Sequence, residues 1–86
     1  MEIKMILVDV FVPSVNNVYD FRLDEKTPVQ NVIEEICELI EMKEHCNLMG
    51  DIGSMMLCCQ KRGRILPGYC TLSECGINTG SSLILV

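Results

Sequence analysis

Tryptophan is absent from this chain, and with two tyrosines and two phenylalanines the large aromatic residues make up just 5% of it. A core of stacked rings is thereby excluded, and packing must be aliphatic, helped by six methionines and six cysteines. Basic residues are also in the minority. Seven stand against twelve acidic ones, a net charge of −5 that repels phosphate backbones and argues against nucleic-acid binding. No apolar run approaches the ~18–20 residues that a membrane span needs. Near the N-terminus, residues 5–8 are apolar, but Asp9 interrupts them and Pro13 ends the stretch. Neither a basic leader segment nor a small-residue cleavage site accompanies that run. These absences predict a cytoplasmic protein with no anchor or direct membrane insertion of its own, whose partners are proteins. With no export signal, the cysteines read as reduced thiols rather than as a disulfide framework.

What is present is a large apolar share. Apolar residues are 49% of the 86, which rules out intrinsic disorder. A chain of this length makes one domain, residues 1–86, that buries only about 60–65% of its unfolded surface. Residues 4–12 alternate, and Asp9 chooses the register because an unpaired carboxylate is costly in a core. Ile6, Val8 and Val10 therefore point inward. A turn over 13–17 leads to a second alternating strand, 18–23, with Tyr19, Phe21 and Leu23 inward, closing a hairpin.

Thr27, Pro28 and Gln30 form a helix start with the spacing of a capping box. The helix runs from residue 28 to about 43, with Val29, Val32, Ile33, Ile36, Cys37 and Ile40 on one buried stripe. Glu34, Glu35, Glu38 and Glu41 form the opposite, solvated face. Residues 45–54 read as a loop, and His45 at its start reads as an exposed group at the helix end, where the dipole favours a cation. An apolar strand over 55–60, with Cys58 and Cys59 packed as small hydrophobes, turns at 61–64 into a brief strand at 65–66 that Pro67 ends. Thr71 to Glu74 repeats the capping-box pattern with Gly76 as C-cap, a single helical turn before a last apolar strand. One helix and four or five short strands share a core only if the sheet curls over the helix, with first and last strands parallel at its centre. The expected fold is α+β, a β-grasp with a mixed four- to five-stranded sheet on one long helix.

Gly63, Leu66, Leu72, Ser73, Glu74, Cys75, Gly76, Ile77, Gly80, Leu83 and Leu85 fit a G-x-x-L…L-x-E-x-G-I-x-x-G-x-x-L-x-L pattern. This pattern resembles the ubiquitin-like β-grasp fold over nearly the whole chain. Within that superfamily, the strand at 18–23, the Thr27-Pro28-Val29 helix entry and the stretch from Pro67 to Ile77 look most like the YukD (EsaB-like) proteins of bacterial type VII, or WXG-type, secretion systems. The resemblance implies a small cytoplasmic, non-enzymatic accessory protein that contacts components or regulators of the secretion apparatus, peripheral to a membrane complex. It carries over no catalytic or cofactor residues.

Other chemistries find less support. Tagging and sulfur carriage need a free C-terminal glycine, whereas the last strand ends at Val86, whose β-branched bulk suits neither. Cys70-x4-Cys75 reproduces the first two ligands of a plant-type [2Fe–2S] cluster, but the third position, 78, holds Asn78. Zinc on His45 and Cys46 with Cys58 or Cys59 lacks the usual paired spacing. A redox or metal-binding β-grasp protein using Cys70 and Cys75, disulfide included, is thus the alternative to an adaptor, and no cofactor is expected for the adaptor.

Strand alternation sends Met5, Leu7, Phe11, Ile84 and Val86 to the outer face of the sheet, where contiguous apolar surface marks an interface. Leu7, Phe11, Ile84 and Val86 are the expected docking patch for a partner protein, or for a second copy in a homodimer. Lys61, Arg62 and Arg64, three of the seven cations, would flank it as a soluble hairpin tip, or as a secondary site for an acidic partner or anionic lipid headgroups.

Overall fold

The computed structural model describes residues 3–44 and 55–86; the expectations for the loop at 45–54, His45 and Cys46 lie outside them. The described residues form a mixed five-stranded sheet on one helix, the α+β ubiquitin-like β-grasp arrangement. Strand β1 (Met5–Val12) runs antiparallel to β2 (Asn17–Asp24), with Val8 opposite Phe21 and Val10 opposite Tyr19. A one-turn 3₁₀ segment (Pro13–Val15) joins them, and Asn16 takes the left-handed backbone that closes the turn, φ +50°. Helix α1 (Val29–Glu44) crosses over to β3 (Leu57–Cys59), β4 (Arg64–Ile65) and β5 (Ser82–Leu85). Spatial order is β2-β1-β5-β3-β4, with β5 parallel to β1 and antiparallel to β3.

The alternation of β1 carries through. Ile6, Val8, Val10 and Val12 are buried, while Asp9 faces out and accepts a 3.0 Å hydrogen bond from Ser82 Oγ. Val29, Val32, Ile33, Ile36, Cys37 and Ile40 form the buried stripe of α1, meeting Leu57, Cys59, Leu83 and Leu85 from the sheet. Among the described residues no polar or charged side chain is buried, so the core is held by aliphatic packing and the sheet ladder. Tyr19 packs half-buried at the rim, its hydroxyl donating to the Glu44 carboxylate and its ring 5.8 Å from the Lys43 ammonium. That pairing ties β2 to the last turn of α1.

Three local expectations shift. The strand expected over 55–60 is regular only for three residues, although Met56 and Val86 still exchange both backbone hydrogen bonds. The next strand begins one residue earlier than expected, at Arg64, which leaves Ile65 exposed and Leu66 buried. The start of α1 is also satisfied differently. Val29 N–H donates to the Cys70 carbonyl at 2.8 Å, and Gln30 N–H donates to the Gly68 carbonyl at 3.0 Å. Carbonyls from a distant segment thus take the N–H group that a Thr27 side-chain cap would have bound.

The second capping box forms as its spacing requires. Thr71 N–H donates to Glu74 Oε1 at 2.9 Å, and Glu74 N–H donates to Thr71 Oγ1 at 3.2 Å. The turn closes through Cys75 N–H to the Thr71 carbonyl, 3.1 Å, and ends at Gly76, whose φ of +77° favours glycine. Leu72 and Ile77 plug the core beneath it, and Ile77 N–H returns to the Leu72 carbonyl at 2.9 Å.

Candidate functional site

The strand registers align one position from every strand on the outer face. Val18 lies opposite Phe11, Phe11 beside Ile84, Ile84 opposite Cys58, and Cys58 opposite Ile65. All five side chains are apolar, and they cross the sheet from edge to edge. Val18 and Ile65, at the two edges, are 58% and 57% exposed, whereas Phe11, Cys58 and Ile84 are half-buried by their neighbours in the row. Met56 and Val86, both exposed, extend the apolar surface by one more pair on the β3–β5 side.

The adjacent row is polar. Asp20 lies opposite Asp9, Asp9 beside Ser82, and Gln60 N–H donates to the Ser82 carbonyl at 3.0 Å. Leu7 stands on the far side of that row, opposite Arg22 and 55% exposed. At the usual strand rise, Leu7 and Phe11 are about 13 Å apart along β1. The structure therefore gathers Phe11, Ile84 and Val86 of the expected patch and sets Leu7 apart from them. Ile3 and Met5 are its exposed apolar neighbours along the chain.

The cations of the β3–β4 turn point elsewhere. Arg64 is the register partner of Cys59, whose side chain is buried, so Arg64 stands on the face opposite the apolar row. The Arg62 guanidinium lies against Gly76, where an added Cβ would stand 3.1 Å from its nearer nitrogen. Lys61 borders a shallow cavity with Asn78, Gly80 and Ser81. All three cations are exposed at the tip, with Gly63, φ +61°, making the turn.

Sequence reasoning reached Phe11, Ile84 and Val86 from alternation alone. It passed over Val18, Cys58 and Ile65 as outer-face residues, because their place in the row depends on which residue of each strand faces which. Alternation about the buried Phe21 already carried the signal for Val18; Ile65 needed the true start of β4.

Titratable chemistry is sparse. Among the described residues, no three His, Cys, Asp or Glu side chains converge as they would around a metal ion. Burial, reinforced by the Glu41 carboxylate one turn away, pushes the Cys37 thiol up from its ordinary value and leaves it an inert core group.

Over residues 6–85 the chain matches the family model described as the WXG100 protein secretion system (Wss) protein YukD. It belongs to the YukD family. This chain is therefore a ubiquitin-like protein associated with type VII, WXG-type, secretion. No curated protein sequence matches it. Among solved structures it is similar to the ubiquitin-like domain of EccD5 from Mycobacterium xenopi, with a TM-score of 0.79 and 19% identity, over 96% of this chain and 93% of that one. The ubiquitin-like domain of Arabidopsis thaliana protein At2g32350 superimposes with a TM-score of 0.73 at 24% identity, over 98% of this chain and 78% of that one. Ubiquitin from Caldiarchaeum subterraneum gives 0.72 at 17% identity, over 95% and 91% of the two chains. At these identities the likeness is one of fold. No helix of the described residues is long and apolar enough to cross a membrane.

Proposed function

We propose that this YukD-family chain is a non-enzymatic adaptor of the cytoplasm, docking protein components or regulators of a type VII secretion apparatus through the outer face of its sheet. The observation that carries the reading is the apolar row Val18, Phe11, Ile84, Cys58, Ile65, extended by Met56 and Val86. Folding does not require that row to be apolar, since the core lies on the other face, whereas a partner surface gains from covering it. Phe11 and Ile84 sit at its centre, where an interface concentrates its energy. Leu7 forms a rim contact beyond the Asp9 and Ser82 pair. Lys61, Arg62 and Arg64 favour an acidic partner by steering its approach rather than by sharing the buried centre.

A crosslinked pull-down from the native host, with wild-type, Ile84→Asp and Leu7→Asp baits, tests this reading. Wild type should recover secretion components, Ile84→Asp should lose them, and Leu7→Asp should lose only part. A circular dichroism melt of each bait separates lost binding from lost folding. Full recovery by a folded Ile84→Asp bait would move the dock away from this face.

A further inference from the structure

One pair of nucleophilic side chains plays no part in the docking face. Cys70 and Cys75 bracket the 71–74 turn, and that turn's reciprocal Thr71 and Glu74 hydrogen bonds fold the chain back on itself. Both residues consequently line a single cavity of about 260 Å³, shared with Arg62, Arg64, Ser73 and Glu74. The two side chains are near enough for Cys70 to act on the Cys75 thiol, and each is partly open to solvent, unlike the fully buried Cys37. We propose that Cys70 and Cys75 form a reversible intramolecular disulfide, a dithiol site oxidised by small hydroperoxides, with Cys70 as attacking sulfur and Cys75 as resolving sulfur.

The assignment of roles follows from which sulfur keeps its proton. Burial, then the charge of Cys70, then the hydrogen bond to Cys70, then Glu74 all hold the Cys75 proton in place, and Arg64 opposes them. Cys75 therefore keeps its thiol proton, as a resolving sulfur does until it attacks, and the first attack falls to Cys70. The cavity admits a molecule the size of hydrogen peroxide.

In the first step the Cys70 thiolate attacks one peroxide oxygen. The O–O bond breaks, the other oxygen leaves as hydroxide and takes up the proton that Cys70 shed on ionising to give water, and Cys70 becomes a sulfenic acid. In the second step the Cys75 sulfur attacks the Cys70 sulfur. The S–O bond breaks, hydroxide leaves with the Cys75 proton as a second water, and the S–S bond forms. Two thiols have together given two electrons and two protons to one hydrogen peroxide. A dithiol reductant such as dithiothreitol reverses the change by thiol–disulfide exchange.

The test treats the purified full chain with hydrogen peroxide, alkylates the remaining thiols with N-ethylmaleimide, and maps them by intact and peptide mass spectrometry. Cys70 and Cys75 should lose alkylation together, with a loss of two hydrogen masses and one crosslinked peptide joining them, and dithiothreitol should restore both. In Cys75→Ser, Cys70 should accumulate as a sulfenic acid trapped by dimedone. In Cys70→Ser, Cys75 should stay alkylatable. Continued alkylation of both residues in the wild type, a crosslink through any other cysteine, or one joining two chains would overturn the proposal. The wild-type map decides the matter even if a serine variant fails to fold.

Discussion

The two faces of this sheet come from the same five strands, and they differ in what covers them. On the inner face, Ile6, Val8, Val10, Leu57, Leu83 and Leu85 press against the helix stripe and are shielded from water. On the outer face, Phe11 and Ile84 sit in a row equally apolar in chemistry, bounded by Val18 and Ile65 in full view of solvent. Adjacent residues of β5, Leu83 and Ile84, thus share a backbone conformation while meeting opposite surroundings. Burial on the inner face accounts for the fold, and the outer row is apolar surface left over once the fold is complete. Separating those two uses of hydrophobicity is what singles out the outer row as the proposed docking face.

Substitutions at that pair break the comparison most sharply. Leu83→Ala should cost about 2–5 kcal/mol in urea denaturation, the usual range for emptying a filled core site. Ile84→Asp should leave the chain folded and weaken partner binding by about 2 kcal/mol, roughly thirtyfold, measured by titration once the partner is in hand. If both variants unfolded equally, the outer row would be core after all. A smaller effect separates the two capping sequences. Thr71→Ala should cost about 1 kcal/mol, because its hydroxyl is the acceptor for Glu74 N–H, whereas Thr27→Ala should cost only a few tenths. Thermal melts of the two variants side by side would reverse this account if Thr27 proved the costlier.

The smallest predicted effect is one of pH. Burial raises the Cys37 thiol above its ordinary value of 9.0, so the native chain holds a proton that the unfolded chain sheds first. That contribution is complete below the unfolded pKa and is lost as pH rises through the folded one. Stability should therefore fall as pH rises past that ordinary value of 9.0, and Cys37→Ala should flatten the slope of the urea midpoint against pH.

Much of the fold was legible because local signals and tertiary demands agree. Asp9 set the register of β1, the stripe from Val29 to Ile40 gave the helix, and Thr71 with Glu74 gave a turn whose hydrogen bonds form as their spacing required. Thr27 and Gln30 carried an equally good signal, yet Gln30 N–H binds the Gly68 carbonyl, since a well-placed distant acceptor displaces a local one. The candidate site was legible by face but not by row. Phe11 and Ile84 share a face by alternation, while the separation of Leu7 by Asp9 and Ser82, and the turning of Arg64 toward the Cys59 side, depend on cross-strand pairings. Such pairings are set by the whole sheet, so no single strand announces them.

The carbonyls of Gly68 and Cys70 that close the start of α1 also impose an order on events. They lie some forty residues downstream, and Leu72 N–H to the Thr27 carbonyl and Ser73 N–H to the Glu25 carbonyl stitch the same two segments together. The first amides of the helix therefore gain protection only when the 68–73 segment docks, late in any sequence that begins with the β1–β2 hairpin. In hydrogen exchange, the Val29 and Gln30 amides would open with the C-terminal third of the chain and not with the helix to which they belong.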